Sequence, residues 1–250
     1  MSRTGLDTTD ASVLVGGEEK RQMVRSMFDS IAPRYDMLNR LISCGLDVSW
    51  RKRTADALGL PPRALVLDLA CGTGDFCRLL AKRGMRPFGI DLSDGMLRQA
   101  STDAPLVLGD ALALPLAEGS VDGVVCGFGL RNFTEIPPMA AELARVVRPG
   151  GRIALLEVSR PAGLMSRAGY KLWFEHAVPA IGSLISDPTA YRYLPDSIAY
   201  LPPPEHLRSI LRSAGFAGVG RRRFTSGATQ LYTATRAGIP VTAAERGQRP

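Results

Sequence analysis

The chain has 250 residues, 45% of them apolar and 22% charged, with a formal net charge of +7. That length suits one domain with a full hydrophobic core, which needs neither disulfide nor metal to fold. No apolar run is long enough to cross a membrane. The four cysteines (Cys44, Cys71, Cys77 and Cys126) lack CxxC spacing, so reduced thiols are expected and a metal site is not.

Residues 1–18 are polar and small, with no basic segment leading into an apolar one. They are read as the disordered leader of a cytoplasmic protein. From Glu19 to Leu58 the apolar residues Met23, Met27, Ile31, Leu38, Leu41 and Ile42 recur at helical spacing, which predicts two or three short helices broken near Pro33 and Gly45. RALVLDLA (63–70) is a short apolar run that ends in glycines, the pattern of a buried parallel strand. A helix over 75–83, a strand at RPFGID (86–91) and a helix at SDGMLRQA (93–100) follow, with Ser93 as N-cap. Strands are expected at 105–110, 121–129 and 152–158, with a helix over 135–147 and a turn at Pro149–Gly151. Strands alternating with helices at this rhythm imply a doubly wound parallel sheet. Past Arg160 the rhythm stops. Residues 164–186 form an aromatic, apolar helical stretch, EHLRSILRSAGF gives another helix, and two strands close the domain, which is bounded at 19–236. The tail 237–250 is polar and read as loose.

The chemistry begins at VLDLACGTGDF (66–76), where a strand runs into a tight turn at Gly72 and Gly74. Glycines there let the backbone approach a ligand at the carboxyl end of the first strand. The turn gives only GTG, not GxGxxG, so a nucleoside fits better than a pyrophosphate. Asp91, ending the second strand, can accept both ribose hydroxyls. Asp110, after the third, can accept an adenine amino group. Each aspartate taken alone reads equally as a cap or turn former; the ordered set points to S-adenosylmethionine.

This set resembles the class I methyltransferases, an α/β fold with a mostly parallel seven-stranded sheet. FDSIAPRYDMLNRLISCGLDVSWR (28–51), FGLRN (128–132), RVVRPGGRIALLEVSRP (145–161) and DPTAYRYLPDSI (187–198) resemble, more narrowly, the quinone-biosynthesis C-methyltransferases, over about residues 20 to 230. The GLDxxWR ending is closer to the menaquinone branch. The resemblance implies N-terminal helices, a helical insertion before the last strands, and transfer of a methyl from S-adenosylmethionine to a ring carbon of a prenylated quinol. Demethylmenaquinol leads, with a ubiquinone precursor or an unprenylated phenol as the alternative. It implies cofactor contacts from Gly72, Thr73, Asp91, Asp110, Ala111 and Gly127. Gly127 stands where a serine is usual, and Tyr232 where a histidine is expected.

A phenol becomes a good carbon nucleophile as its phenolate, and phenols ionise near pH 10. Stabilising that oxyanion is the task assigned to Arg131 and Asn132, after the fourth strand. A structural ion pair for Arg131 and a helix cap for Asn132 are the plain alternatives. His176 and His206 are weak candidates. Tyr35 and Trp50 either cover the pocket or pack the core, and residues 164–186 either form a lid resting on the inner membrane face or belong to the core. The partners expected are a lipophilic quinol, a membrane face and a second copy of the chain. Nucleic acid is not among them: Arg221–Arg223 read as a solvated strand, and no RNA-binding module or NPPY motif accompanies them.

Overall fold

The computed structural model describes residues 17–159, 161, 163 and 197–238. The leader up to residue 16, the stretch 164–186 with His176, and the tail from residue 239 lie outside the described residues. At the N-terminus α1 (Gly17–Ile31), a 3₁₀ turn (Ala32–Arg34), α2 (Tyr35–Ile42) and α3 (Leu46–Leu58) follow one another, broken at Pro33 and Gly45 as expected. α1 begins two residues before the boundary set from sequence.

β1 (Leu65–Leu69), β2 (Arg86–Asp91), β3 (Leu106–Leu108), β4 (Val121–Gly127), β5 (Val147–Val158), β6 (Phe216–Phe224) and β7 (Thr229–Arg236) form one sheet in the order 3-2-1-4-5-7-6. The first five strands pair in parallel, and β7 runs antiparallel between β5 and β6. α4 (Asp75–Ala81), α5 (Asp94–Arg98), α6 (Ile136–Val146) and α7 (Pro204–Ser213) complete the described helices. Ser93 caps α5, its hydroxyl accepting the Met96 N–H at 3.0 Å. The strand order reverses between β1 and β4, which opens a crevice at their carboxyl ends.

One difference from the sequence reading lies in β5. Pro149–Gly151 is not a turn ahead of the strand. Val147 already pairs with Val121, and pairing resumes at Arg152 opposite Gly123, so the segment between is a bulge. Gly150 carries its positive φ of 78°.

Apolar side chains from both faces of the sheet make two cores. Leu67, Leu69, Val124, Met139, Leu143, Ile153 and Leu155 pack on one side. Val66, Leu58, Phe76, Leu80, Val125 and Leu156 pack on the other. The sheet's edges are a three-residue β3 and a β6 whose pairing shifts between Ala217 and Gly220 and whose Arg222 and Arg223 are exposed. Short, bulged and charged edges resist pairing with other chains. Among the described residues no helix is long and apolar enough to cross a membrane.

Candidate active site

A cleft opens over the carboxyl ends of β1 to β4, bordered on its outer side by α1. Gly72, Asp91, Asp110, Ala111, Gly127 and Asn132 all border it, together with Phe28, Tyr35, Ile90, Met96 and Leu112. Four separate strand ends therefore bring these sequence candidates to one place. Thr73 instead lines a smaller hollow next door, shared with Tyr35, Arg51, Asp68, Asp75, Phe76 and Gly127.

The glycine loop is tied to the second strand by Asp91. Its Oδ2 accepts the Gly72 N–H at 2.7 Å and its Oδ1 accepts the Ser93 N–H at 2.9 Å. Gly72 sits at φ 54°, and a Cβ there would lie 2.9 Å from Met96 Cε. Glycine thus meets both the left-handed backbone and the close approach. Burial raises the Asp91 carboxyl above the ordinary range, against the lowering effect of the backbone N–H groups.

Asp110 closes an Asx turn, its Oδ1 accepting the Leu112 N–H at 2.9 Å, while its Oδ2 pairs with Arg21 Nε of α1 at 2.9 Å. α1 is fixed again lower down, where Asp29 Oδ1 accepts from the Ser93 hydroxyl at 2.5 Å and the Gly95 N–H at 2.8 Å. Arg21 and Asp29 carried no signal in the sequence, because their partners lie far along the chain.

Gly127 owes its identity to Phe76. A Cβ at 127 would stand 2.6 Å from Phe76 Cε2, so the ring fills the space a serine would take. Beside it, Asp68 is buried in the floor of the smaller hollow, with the Cys77 thiol 3.5 Å away. Burial pushes its carboxyl up to about 7. A carboxyl raised from 3.8 contributes stability that is full below that value and lost as the pH rises through 7. Asp68→Asn is therefore expected to gain on the wild type between pH 4 and 7 and to hold that lead above it, by on the order of 3–4 kcal/mol. Urea unfolding of both proteins across that range checks it, and a constant difference would contradict the assignment.

The loop after β4 turns at Phe128, a non-glycine residue at φ 63°. The Phe128 carbonyl accepts from both Arg131 Nη1 (2.8 Å) and Asn132 Nδ2 (3.3 Å). Arg131 does not border the cleft. Its guanidinium is buried, donating to Glu157 Oε1 at 2.6 Å and to the Ser197 hydroxyl at 3.1 Å. Its own N–H donates to Glu157 Oε2 at 3.1 Å. The ion-pair alternative is what the geometry displays, and Asn132 is the member of the pair that reaches the cleft.

Other candidates separate in the same way. Tyr35 borders the cleft. Trp50 does not; its indole N–H donates to Thr225 Oγ1 at 3.0 Å. Tyr232 lies in the core on β7, its hydroxyl donating to Gln230 Oε1 at 2.9 Å, and His206 is exposed on α7. All four cysteines are free, and burial pushes up the thiols of Cys71, Cys77 and Cys126. Among the described residues no cluster of histidine, cysteine and carboxylate side chains could hold a metal.

A seven-stranded sheet of this order, with a glycine loop, an acidic end to β2 and a cleft over the parallel strands, is the class I methyltransferase fold. Solved structures agree at the level of fold. The [4+2]-cyclase SpnF superposes with a TM-score of 0.64 at 18% identity, covering 88% of this chain and 97% of that one. A possible histamine N-methyltransferase from Thermotoga maritima gives 0.62 at 16% identity, covering 85% and 99%. The model of the ubiE/COQ5 methyltransferase family matches residues 16–236, and the chain belongs to that family. Relatives include a demethylmenaquinone methyltransferase of Deinococcus radiodurans, 44% identical over 80% of this chain and 87% of its own. One of Corynebacterium kroppenstedtii with the same name is 39% identical over 88% and 96%. A ubiquinone/menaquinone biosynthesis C-methyltransferase of Syntrophotalea carbinolica is 38% identical over 86% and 94%.

Proposed function

We propose that this protein transfers a methyl group from S-adenosylmethionine to the ring carbon of demethylmenaquinol. The names of its relatives support the substrate class. The observation that carries the site is that Gly72, Asp91, Asp110 and Asn132, from four strand ends, border one cleft. The cleft suits a nucleoside. The carboxylate of Asp91 keeps a second lone pair on each oxygen for a vicinal diol, Ile90, Met96 and Leu112 offer an apolar slab to a purine, and Ala111 leaves room beside Asp110. Thr73, Asp75 and Arg51 line the neighbouring hollow, and the Arg51–Asp75 pair at 3.2 Å suits an amino-acid group. When bound, S-adenosylmethionine supplies an electrophilic methyl on sulfonium.

The remaining work falls to the chain. Asn132 stabilises the developing phenolate through its amide, and the apolar walls exclude water. Arg131, paired with Glu157, holds the 128–133 loop in the shape that aims Asn132. Turnover with labelled S-adenosylmethionine tests the reading, with reduced demethylmenaquinone, the demethyl ubiquinone precursor, a plain naphthol and bulk RNA offered separately. Methylation of the reduced naphthoquinol supports it; transfer only to the naphthol or to the benzoquinol would replace it with the corresponding alternative.

A lipophilic acceptor calls for contact with a membrane face, which we place on the exposed side chains of α2 and the start of α3. Met37, Leu41, Leu46 and Val48 are exposed there. Between residues 37 and 55 the sole carboxylate, Asp47, is turned inward and paired with Arg40 and Arg51, while Lys52 and Arg53 face outward. Apolar side chains among cations fit an anionic bilayer. Leu41→Glu with Leu46→Glu is expected to weaken co-sedimentation with phosphatidylglycerol vesicles by about tenfold, and equal sedimentation would sink the assignment.

A further inference from the structure

Lys20 is buried in the first half of α1, with 2% of its surface exposed. Its Nζ donates to the carbonyl of Phe133 at 2.6 Å and to that of Arg131 at 3.2 Å, and lies 3.8 Å from the centre of the Tyr200 ring. An ammonium has three donors and no acceptor. Among the described residues, two carbonyl dipoles and an aromatic face hold it, rather than a carboxylate. The residue between the two carbonyls is Asn132, which borders the cleft. Arg21, Val24 and Phe28, on the same helix as Lys20, border the cleft from the other side.

Burying a cation without a carboxylate is unfavourable, and a methionine would fill the same space without that penalty. What the ammonium adds is orientation. The other polar ties of α1 described above go to the ends of β2 and β3, through Asp29 and Arg21. Lys20 reaches the loop after β4. It grips the backbone on both sides of the side chain that faces the acceptor.

We propose that Lys20 is a positioning residue for methyl transfer, which aims Asn132 into the cleft and makes that aim conditional on α1 being seated. The proposal rests on the reading that Asn132 serves the acceptor oxygen. Burial lowers the Lys20 ammonium to about 8, which leaves it largely protonated at neutral pH. A displacement of Asn132 by an ångström is enough to slow an oriented reaction by about 100-fold, so the effect belongs in turnover rather than in cofactor affinity, which Asp29 and Arg21 continue to support.

The test uses the full chain with Lys20→Met, Asn132→Ala and the double variant. Lys20→Met is expected to lower kcat on demethylmenaquinol about 10- to 100-fold, while the Kd for S-adenosylhomocysteine changes by less than about threefold. Because both residues act on one group, the double variant should be no slower than Asn132→Ala alone. Losses that multiply, or an unchanged kcat, would overturn the proposal. Hydrogen exchange separates this outcome from a wrong substrate. Amides of 128–134 should exchange faster in Lys20→Met whether or not the quinol is methylated, and unchanged exchange there would also overturn it. If Lys20→Met does not fold, Lys20→Gln, which keeps two N–H donors on a shorter arm, is read by the same measurements.

Discussion

Replacing Glu157 with alanine is expected to destabilise the protein by about 3–5 kcal/mol and to abolish turnover. Glu157 is fully buried at the end of β5. One oxygen accepts from Arg131 Nη1 and from the Val158 N–H, the other from the Arg131 N–H. Removing the carboxylate takes from the buried Arg131 guanidinium the counter-charge at 2.6 Å and from the Arg131 N–H the acceptor at 3.1 Å. The groups so deprived, rather than the lost contact itself, dominate the penalty. In a domain of this size the shift in Tm is about 10 °C. The double replacement Arg131→Met with Glu157→Leu removes both charges and should recover much of the stability, since apolar pairs of similar volume often match buried ion pairs. It should not recover activity, because the Phe128 carbonyl then loses Arg131 Nη1, one of the two donors that hold the turn before Asn132. Thermal melts and turnover of the two variants decide the matter. Recovery of both together would mean that the pair serves stability alone.

The contrast between Arg131 and Asn132 illustrates what a sequence carries. Both stand in FGLRN, and both were assigned to the acceptor oxygen. Only Asn132 borders the cleft, because the partner that draws Arg131 inward is Glu157, set in the apolar run RIALLEV with no local signal of its direction. Asp91, Gly72 and Ser93 were legible because their roles are local. A strand end, a left-handed turn and an N-cap each follow from a few neighbouring residues. The doubly wound, mostly parallel sheet followed from the alternation of apolar runs and helices, whereas the order of its strands came only with the structure. Lys20, Arg21 and Asp29 were not legible, since each acts on a residue 64 to 113 positions away, and helical periodicity marks them only as polar. Gly127 read as a missing hydroxyl; its cause is the Phe76 ring, visible only once β4 and α4 are packed together. The bulge at Pro149–Gly151 was hidden for the opposite reason. Its proline and glycines signal a turn strongly, and the pairing of Val147 with Val121 overrides that local preference.

Asp91→Ala is expected to weaken S-adenosylhomocysteine binding by at least about 100-fold, at two hydrogen bonds to a charged acceptor of roughly 1.5–3 kcal/mol each. The carboxylate does two things at once. It fixes the glycine loop by accepting from Gly72 and Ser93, and it borders the cleft, where a ribose diol would donate to it under the proposed function. Asparagine cannot replace it, because one end of the amide would set a donor against a backbone N–H. The two contributions separate with a 2′-deoxy analogue of the ligand. Wild-type protein should bind the analogue more weakly than the parent, whereas Asp91→Ala should bind the two alike, the diol having nothing left to reach. Stability should fall by about 1–3 kcal/mol, because the Gly72 and Ser93 N–H groups lose their acceptor, while the charge itself contributes little, burial holding the Asp91 carboxyl above its ordinary range. A variant that bound S-adenosylhomocysteine as tightly as the wild type would place the nucleoside elsewhere than this cleft. A variant that lost affinity equally for both ligands, yet still discriminated between them, would leave Asp91 the keeper of the glycine loop and give the diol to another acceptor.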